Sequence, residues 1–417
     1  MARIVFVGDD FTGASDTLAT LAERGVTVRL FLDAPTRGEV DGLDAVGIAT
    51  DLRSRTPDEI AARLAVLAPA IAALAPRFVH YKVCSTFDSA PHVGSIGAAA
   101  MALEAALAPD RTIVLGGQPS LGRHCLFGTL FARAPDGVVH RIDRHPIMSR
   151  HPVTPMDEAD LRIHLARQGL DGLGLVDHPR LREPERTFGD LFASPGRTLV
   201  DAVDQADVER FGAALREAPT DGPPVLLIGA SSVAEALADP STHAPERAAS
   251  PAARATGPVL AIAGSRSSAT AAQVAAAASH VRVPLTAADL EADLPGCADH
   301  CARLLGLGRP VLVHLQPGLD YGLSASELSE RLADLAAAIL CRRSVGRIAV
   351  AGGDTSGAVV KRLGFRSLSF VERAGAGVAV CRGHAPGHPL DGTLLLLKGG
   401  QVGATDLFER FAGDPGG

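Results

Sequence analysis

Residues 4–25 read IVFVGDDFTGASDTLATLAERG. Ile4 to Val7 form a continuous apolar run, as expected of a strand with helices over both faces. Gly8, the acid pair Asp9-Asp10 and the Thr12-Gly13 step follow, and then a helical pattern runs to Gly25. A strand feeding a helix through a glycine turn opens a βα unit, and its carboxyl end is where open α/β sheets place ligands. Two adjacent carboxylates repel each other, so the pair needs cations nearby or divergent directions. In an extended strand successive side chains project to opposite sides, so Asp9 and Asp10 need not share one site, one facing the cleft while the other caps the turn, and Lys82 and Arg53 nearby would make the pair tolerable.

The same alternation continues. Apolar runs at 3–7, 27–32, 45–49, 78–83, 112–115, 172–176 and 225–228 read as strands, with helical patterns such as 57–74 and 94–107 between several of them. From 238 to 257 the text becomes ADPSTHAPERAASPAARATG, rich in Pro, Ala and Ser with no apolar period, which reads as a linker. A second α/β pattern follows. The expectation is two α/β domains with mainly parallel sheets, 1–237 and 258–417, joined by a flexible linker at 238–257 with a ligand cleft between them.

A length of 417 residues agrees with two domains. The net charge of −7 comes without a basic block, which disfavours nucleic-acid binding. No apolar stretch is long enough for a membrane span. Acids at Asp9 and Asp10 fall where a signal peptide needs apolar residues, so a cytoplasmic protein is expected. The six scattered cysteines read as free thiols, and CADHC (297–301) lacks a second ligand pair at zinc spacing, so no protein-held metal is expected. No pattern sets the oligomeric state; a homo-oligomer is compatible with the sequence.

Three strand-to-turn junctions in the second half carry chemistry. In IAVAGGDTSGAVVKRLG (348–364), Gly352 and Gly353 make the turn, and Asp354 or Thr355 is expected to cap a helix from about Ser356 to Arg362. Such a turn delivers backbone N–H groups to an anion. Asp354 would repel a bare phosphate and instead suits a role through Mg²⁺ or as a base. LAIAGSRSSATAAQ (260–273) offers Gly264, Ser265, Ser267 and Ser268, and LLLLKGGQVG (394–403) offers Lys398, Gly399 and Gly400. Neither a Walker A sequence nor a G-x-G-x-x-G fingerprint is present.

In the first half, TDLRSR (50–55) and YKVCSTFDSAPHVGSIG (81–97) place Arg53, Arg55 and Lys82 at strand ends beside the hydroxyls of Ser85 and Thr86. Arginine's planar fork suits a carboxylate, so with the paired acids the set suits a small polyhydroxylated acid, or else a structural charge network. A haloacid-dehalogenase reading fails because Asp9 and Asp10 are adjacent, not two positions apart. RIDRHPIMSRHPVTPMDEADL (141–161) repeats Arg-His-Pro at 144–146 and 150–152, either closing over an anionic ligand or serving as an exposed connection.

Taken together, VGDDFTGASDTLATLAERG, KVCSTFDSAPHVGSIG, HPVTPM, AGGDTSGAVV and the terminal KGGQVG resemble the four-carbon acid sugar kinases across nearly the whole chain. The resemblance implies an N-terminal domain for the sugar acid, a C-terminal nucleotide-binding domain, and phosphorylation of tetronates or oxo-tetronates with ATP and Mg²⁺. By motif it places Asp10, Arg53, Lys82, Val83, Cys84 and Ser85 on the sugar acid, with Asp9 as a structural partner beside them. Ser265, Gly352, Gly353, Asp354, Thr355, Gly399 and Gly400 fall to ATP. Arg53 is expected on the substrate carboxylate and Lys82 on the substrate or the transferred group. The base is Asp354 or an N-terminal acid. A non-catalytic sugar-acid or nucleotide-binding protein is the rival from another class.

Overall fold

The computed structural model describes residues 3–184, 186–192, 196–238, 257–375 and 377–413. The chain divides into two compact units, one of Met1–Val28 with Asp33–Pro245 and one of Arg29–Leu32 with Glu246–Gly417. The expected linker at 238–257 lies, from 239 to 256, outside the described residues.

In chain order the first strands are β1 (Ile4–Gly8), β2 (Val28–Phe31), β3 (Ala45–Ala49), β4 (Phe78–Lys82), β5 (Arg111–Leu115), β6 (Arg123–Leu126), β7 (Thr129–Arg133), β8 (Val139–Arg141), β9 (Gly174–Val176), β10 (Gly196–Val200) and β11 (Val225–Gly229). The main sheet of the first unit has the order β3-β1-β4-β11-β5-β10-β9, with every neighbouring pair parallel. β1, β3, β4 and β11 are buried along their whole lengths, so β1, β3 and β11 read as unbroken apolar runs, while β4 also buries His80 and Lys82. Gly47 sits opposite Phe6, and a Cβ there would lie 2.1 Å from the ring, so the glycine makes room for the aromatic.

Helix Pro57–Ala73 shows how the covering layer is specified. Thr56 and Glu59 form a capping box ahead of Pro57, and Ile60, Leu64, Leu67 and Ile71 recur at helical spacing on the buried face. Truncating Leu64, which has no exposed surface, to alanine would cost roughly 2–5 kcal/mol. A separate antiparallel sheet, β6-β7-β8, also belongs to this unit.

The second unit contains β12 (Val259–Ala263), β13 (Val281–Pro284), β14 (Val311–His314), β15 (Arg347–Ala351), β16 (Ser367–Gly375), β17 (Val378–His384) and β18 (Leu394–Lys398). Its order is β13-β14-β12-β15-β18-β17-β16-β2, parallel from β13 to β18 and antiparallel beyond. β2, which reads as a strand of the first half, pairs with β16 through Phe31 and Leu30. Ala261, Ala349, Leu312, Val380, Leu396 and Phe408 pack into the buried core of this unit.

In both units the strand order reverses beside the strand that opens it. β1 has β3 on one side and β4 on the other, and β12 has β14 on one side and β15 on the other. The crevice outside the carboxyl ends of such strands is where α/β sheets bind ligands.

Candidate active site

At the first reversal, β1, β3 and β4 deliver Asp9-Asp10, the 50–55 turn and Lys82. Backbone hydrogen bonds tie these turns together: Asp9 N–H donates to the Lys82 carbonyl (3.0 Å) and Arg53 N–H to the Asp9 carbonyl (2.9 Å). Arg53 grips Asp9 with its fork, Nε to Oδ2 at 3.0 Å and Nη2 to Oδ1 at 2.7 Å, and Nη2 reaches Asp10 Oδ1 at 3.0 Å. The two carboxylates thus converge on one guanidinium rather than diverging. The strand ends at Gly8, so the pleat rule no longer applies at residues 9 and 10. Asp10 is in addition the N-cap of helix Phe11–Glu23, accepting from Gly13 N–H at 2.8 Å.

Burial pushes the Asp9 carboxyl above its ordinary range, with Arg53 pulling the other way. Asp88 behaves oppositely. Burial raises it, but Arg53 and hydrogen bonds from Cys84 and Thr86 more than offset that and hold it below its usual value. The Cys84 thiol is pushed up to about 11, by burial first and Asp88 second, so it stays a neutral donor. Lys82 is buried, and among the described residues its ammonium makes one hydrogen bond, to the Val83 carbonyl at 2.8 Å. A Cβ on Gly13 would lie 2.5 Å from both Lys82 Nζ and Asp10 Oδ1, so glycine is what lets these two groups approach.

Donor capacity remains for a ligand. Two Lys82 N–H groups, Arg53 Nη1 and the buried Ser85 hydroxyl have no protein partner among the described residues. An unpaired buried ammonium is costly unless something anionic or oxygen-rich meets it. Val83 is fully buried and can offer a ligand only its backbone, whose carbonyl Lys82 already engages.

At the second reversal the three glycine turns meet. Gly264 and Ser265 N–H both donate to the Ala351 carbonyl (3.0 Å each), and Gly352 N–H donates to that of Lys398 at 2.9 Å. Ser267 Oγ and Thr270 Oγ1 donate to the Gly400 carbonyl at 2.5 and 2.9 Å, and Lys398 Nζ donates to Thr270 Oγ1 at 2.9 Å. The packing leaves no space for side chains: a Cβ on Gly264 would lie 2.2 Å from Thr355 Oγ1, and one on Gly400 2.5 Å from Ser265 Oγ. Gly352 has φ +126°, a conformation that only glycine adopts without strain.

Gly352, not Asp354 or Thr355, is the N-cap, and the helix runs Gly353–Arg362. The positive φ at Gly352 lets the chain turn straight from β15 into the helix, which starts earlier than expected. Asp354 therefore stands exposed in its first turn. Helices Ser268–Ala276 and Gly353–Arg362 both begin here, so their N-terminal amides and the positive ends of their dipoles face the same edge.

Asp9, Asp10, Arg53, Lys82 and Ser85 fall at the first reversal and Ser265, Gly352, Asp354, Thr355, Lys398 and Gly400 at the second, whereas Arg55 pairs with Asp51 and Glu59 at the surface, the Arg-His-Pro repeat lies in a separate loop and Cys297 and Cys301 lie in helix Leu294–Gly306. Asp88 was not singled out, although it stands in the quoted 81–97 motif; His151 was read only as part of the Arg-His-Pro repeat, with an anion-closing loop and an exposed connection both left open. Thr270 was missed as well; its only signal is the serine-rich helix start before it. All six cysteines are free thiols. Among the described residues no helix is long and apolar enough to cross a membrane.

Comparison with known proteins matches residues 4–237 to a sugar-binding N-terminal domain family and residues 260–408 to a nucleotide-binding C-terminal domain family. A 3-oxo-isoapionate kinase of Paraburkholderia graminis is 33% identical, over 97% of this chain and 93% of its own length. A 3-oxo-tetronate kinase of Cupriavidus necator is 34% identical, over 99% of this chain and 96% of its own. A solved structure from Salmonella typhimurium LT2, provisionally described as a tRNA synthase, superposes with a TM-score of 0.80 at 26% identity over 98% of both chains. With both units and nearly the full length accounted for, the chain belongs to the four-carbon acid sugar kinase family.

Proposed function

We propose that this protein is an ATP-dependent kinase that phosphorylates a hydroxyl of a four-carbon sugar acid, a tetronate or oxo-tetronate, or a close branched relative. The observation that carries this reading is the pair of unlike sites at the two strand-order reversals. One presents unpaired cationic and hydroxyl donors beside the Asp9, Asp10 and Asp88 carboxyls, and the other a triple glycine turn with two helix N-termini.

In the first unit (1–237), Lys82, Ser85 and Arg53 Nη1 bind the acid's oxygens, and Asp10 accepts from its hydroxyls. Asp9 holds the Arg53 fork in place, and the 83–85 backbone lines the site. In the second unit (258–417), the amides of Gly353, Thr355, Gly399 and Gly400 cradle the phosphates, while Ser265 and Gly352, whose N–H groups are bonded within the protein, shape the turns beside them. Phosphoryl transfer needs positioning and charge neutralisation more than covalent chemistry. Asp354 is an exposed carboxylate in the first turn beside that cradle, and such a donor together with nucleotide phosphates fits Mg²⁺. Mg²⁺, when bound, supplies charge neutralisation on the phosphate oxygens. We assign Asp354 as the catalytic carboxylate of the nucleotide side and Lys82 as the cation that steadies the acceptor. A cytoplasmic location, where ATP is supplied, follows from this activity.

The two relatives above stand at 33% and 34% identity and differ in the acid they are named for, so the substrate panel must span both. ADP release is measured with D- and L-threonate, D- and L-erythronate, their 2- and 3-oxo forms and 3-oxo-isoapionate. Turnover dependent on one of these acids is the expected result. ATP binding without turnover on any of them would favour a binding protein, and full turnover by D354N would remove Asp354 from its role.

A further inference from the structure

The two copies of Arg-His-Pro are built differently. In the first, His145 is buried and saturated. Its Nδ1 accepts from the backbone N–H groups of Ile147 and Met148, both at 3.2 Å, and the ring bonds the Arg133 carbonyl. In the second, His151 Nδ1 accepts from Thr154 N–H at 3.1 Å and lies 3.0 Å from the Thr154 hydroxyl. A backbone N–H can only donate, so Nδ1 of His151 is the acceptor and the proton of the neutral ring sits on Nε2. Among the described residues, that Nε2–H has no protein partner. It belongs to a half-buried side chain within electrostatic reach of Asp88, itself coupled to Arg53.

We propose that His151 is a substrate-binding residue whose Nε2–H donates to an oxygen of the sugar acid, while His145 only builds the loop. This rests on the sugar-acid reading of the first unit. The backbone cap orients the ring and fixes its tautomer, so the 145–156 loop presents one donor of defined direction. The acids at this site, Asp9, Asp10 and Asp88, are held by Arg53 or by neighbouring hydroxyl and thiol groups. That leaves His151 to meet an acceptor on the ligand, a carboxylate or a carbonyl oxygen.

Two substitutions separate the functions of the two ring nitrogens. His151→Asn keeps an acceptor near the Nδ1 position and loses the Nε2 donor. His151→Gln keeps a donor near Nε2 and loses the cap. With the best acid of the panel, H151N should lower kcat/KM by about tenfold to a hundredfold, the range for a hydrogen bond to a charged acceptor. Its melting temperature should stay close to that of the unsubstituted protein. H151Q should retain more activity than H151N despite a less well held loop. A purely structural histidine predicts the reverse order, and that order, or an H151N with unchanged kcat/KM, would overturn the assignment. If the unsubstituted protein turns over and binds none of the acids, the sugar-acid reading itself fails, and the His151 role fails with it.

Discussion

Lys398 should make nucleotide binding a proton-coupled event. It ends β18 with no exposed surface, donates to Thr270 Oγ1 at 2.9 Å, and burial alone lowers its ammonium from the ordinary 10.5 to about 8. Such a group is roughly nine-tenths protonated at pH 7, half at pH 8 and one-tenth at pH 9. A triphosphate at the adjacent Gly399-Gly400 turn favours the charged form. If the bound state holds the proton throughout this range, uptake per nucleotide is roughly 0.1 at pH 7, 0.5 at pH 8 and 0.9 at pH 9. Titration calorimetry with a non-hydrolysable ATP analogue, in buffers of different ionisation heat, reads this number as a slope. Lys398→Met should abolish the uptake and weaken nucleotide binding below pH 8. The free protein carries the matching signature. Its folded value lies below the unfolded one, so the penalty for the buried charge is complete below pH 8, and stability rises between pH 8 and 10.5. A proton number of zero at pH 8, or uptake that survives in K398M, would refute the reasoning.

Other substitutions separate site from scaffold. Arg53→Gln leaves Asp9 buried without its fork; because the Arg53 side chain keeps 29% exposure, the expected loss is about 2–4 kcal/mol, below a fully buried pair, measured as a urea midpoint shift. Gly13→Ala drives a Cβ against both Lys82 Nζ and the capping Asp10 Oδ1, so despite the gain in helix propensity it should cost about 0.5–2 kcal/mol of stability and raise the sugar-acid KM about tenfold or more in steady-state kinetics. Gly264→Ala drives a Cβ against Thr355 and Leu332, costing about 1–3 kcal/mol and loosening ATP binding in calorimetry, with sugar-acid binding intact. Asp88 has a folded value below its ordinary 3.8, so its stabilisation is complete above that pH and lost as pH falls through the folded value. Urea midpoints followed down through pH 4 should therefore decline less steeply for D88N.

Features written locally were legible. Each glycine turn is a strand end, a small-residue step and a helix start within one short window, so Gly264, Gly352 and Gly400 announced themselves before their meeting point was known. The strands β1, β3 and β11 were equally plain, because burial on both faces leaves an unbroken apolar run. Pairing was not legible. The run of β2 reads the same whether it joins a parallel neighbour or the distant antiparallel β16. The short strands β6 to β8 mix Arg, His and Thr with apolar residues and have no clean period. That Arg53 stands beside the acid pair was expected from their repulsion; that both acids meet on its one guanidinium was not, because that depends on where the strand stops. Asp88 and His151 lie in irregular loops, where neither spacing rule assigns a direction.

The central claim is that the γ-phosphate of ATP ends as an ester on a small sugar acid. ³¹P NMR of the purified protein with ATP, Mg²⁺ and each acid of the panel tests it directly. The account predicts that one acid yields a new phosphate-ester resonance in step with the loss of the ATP γ signal, and that K82M yields none. Inorganic phosphate as the only product, or an unchanged ATP spectrum with every acid, would contradict it.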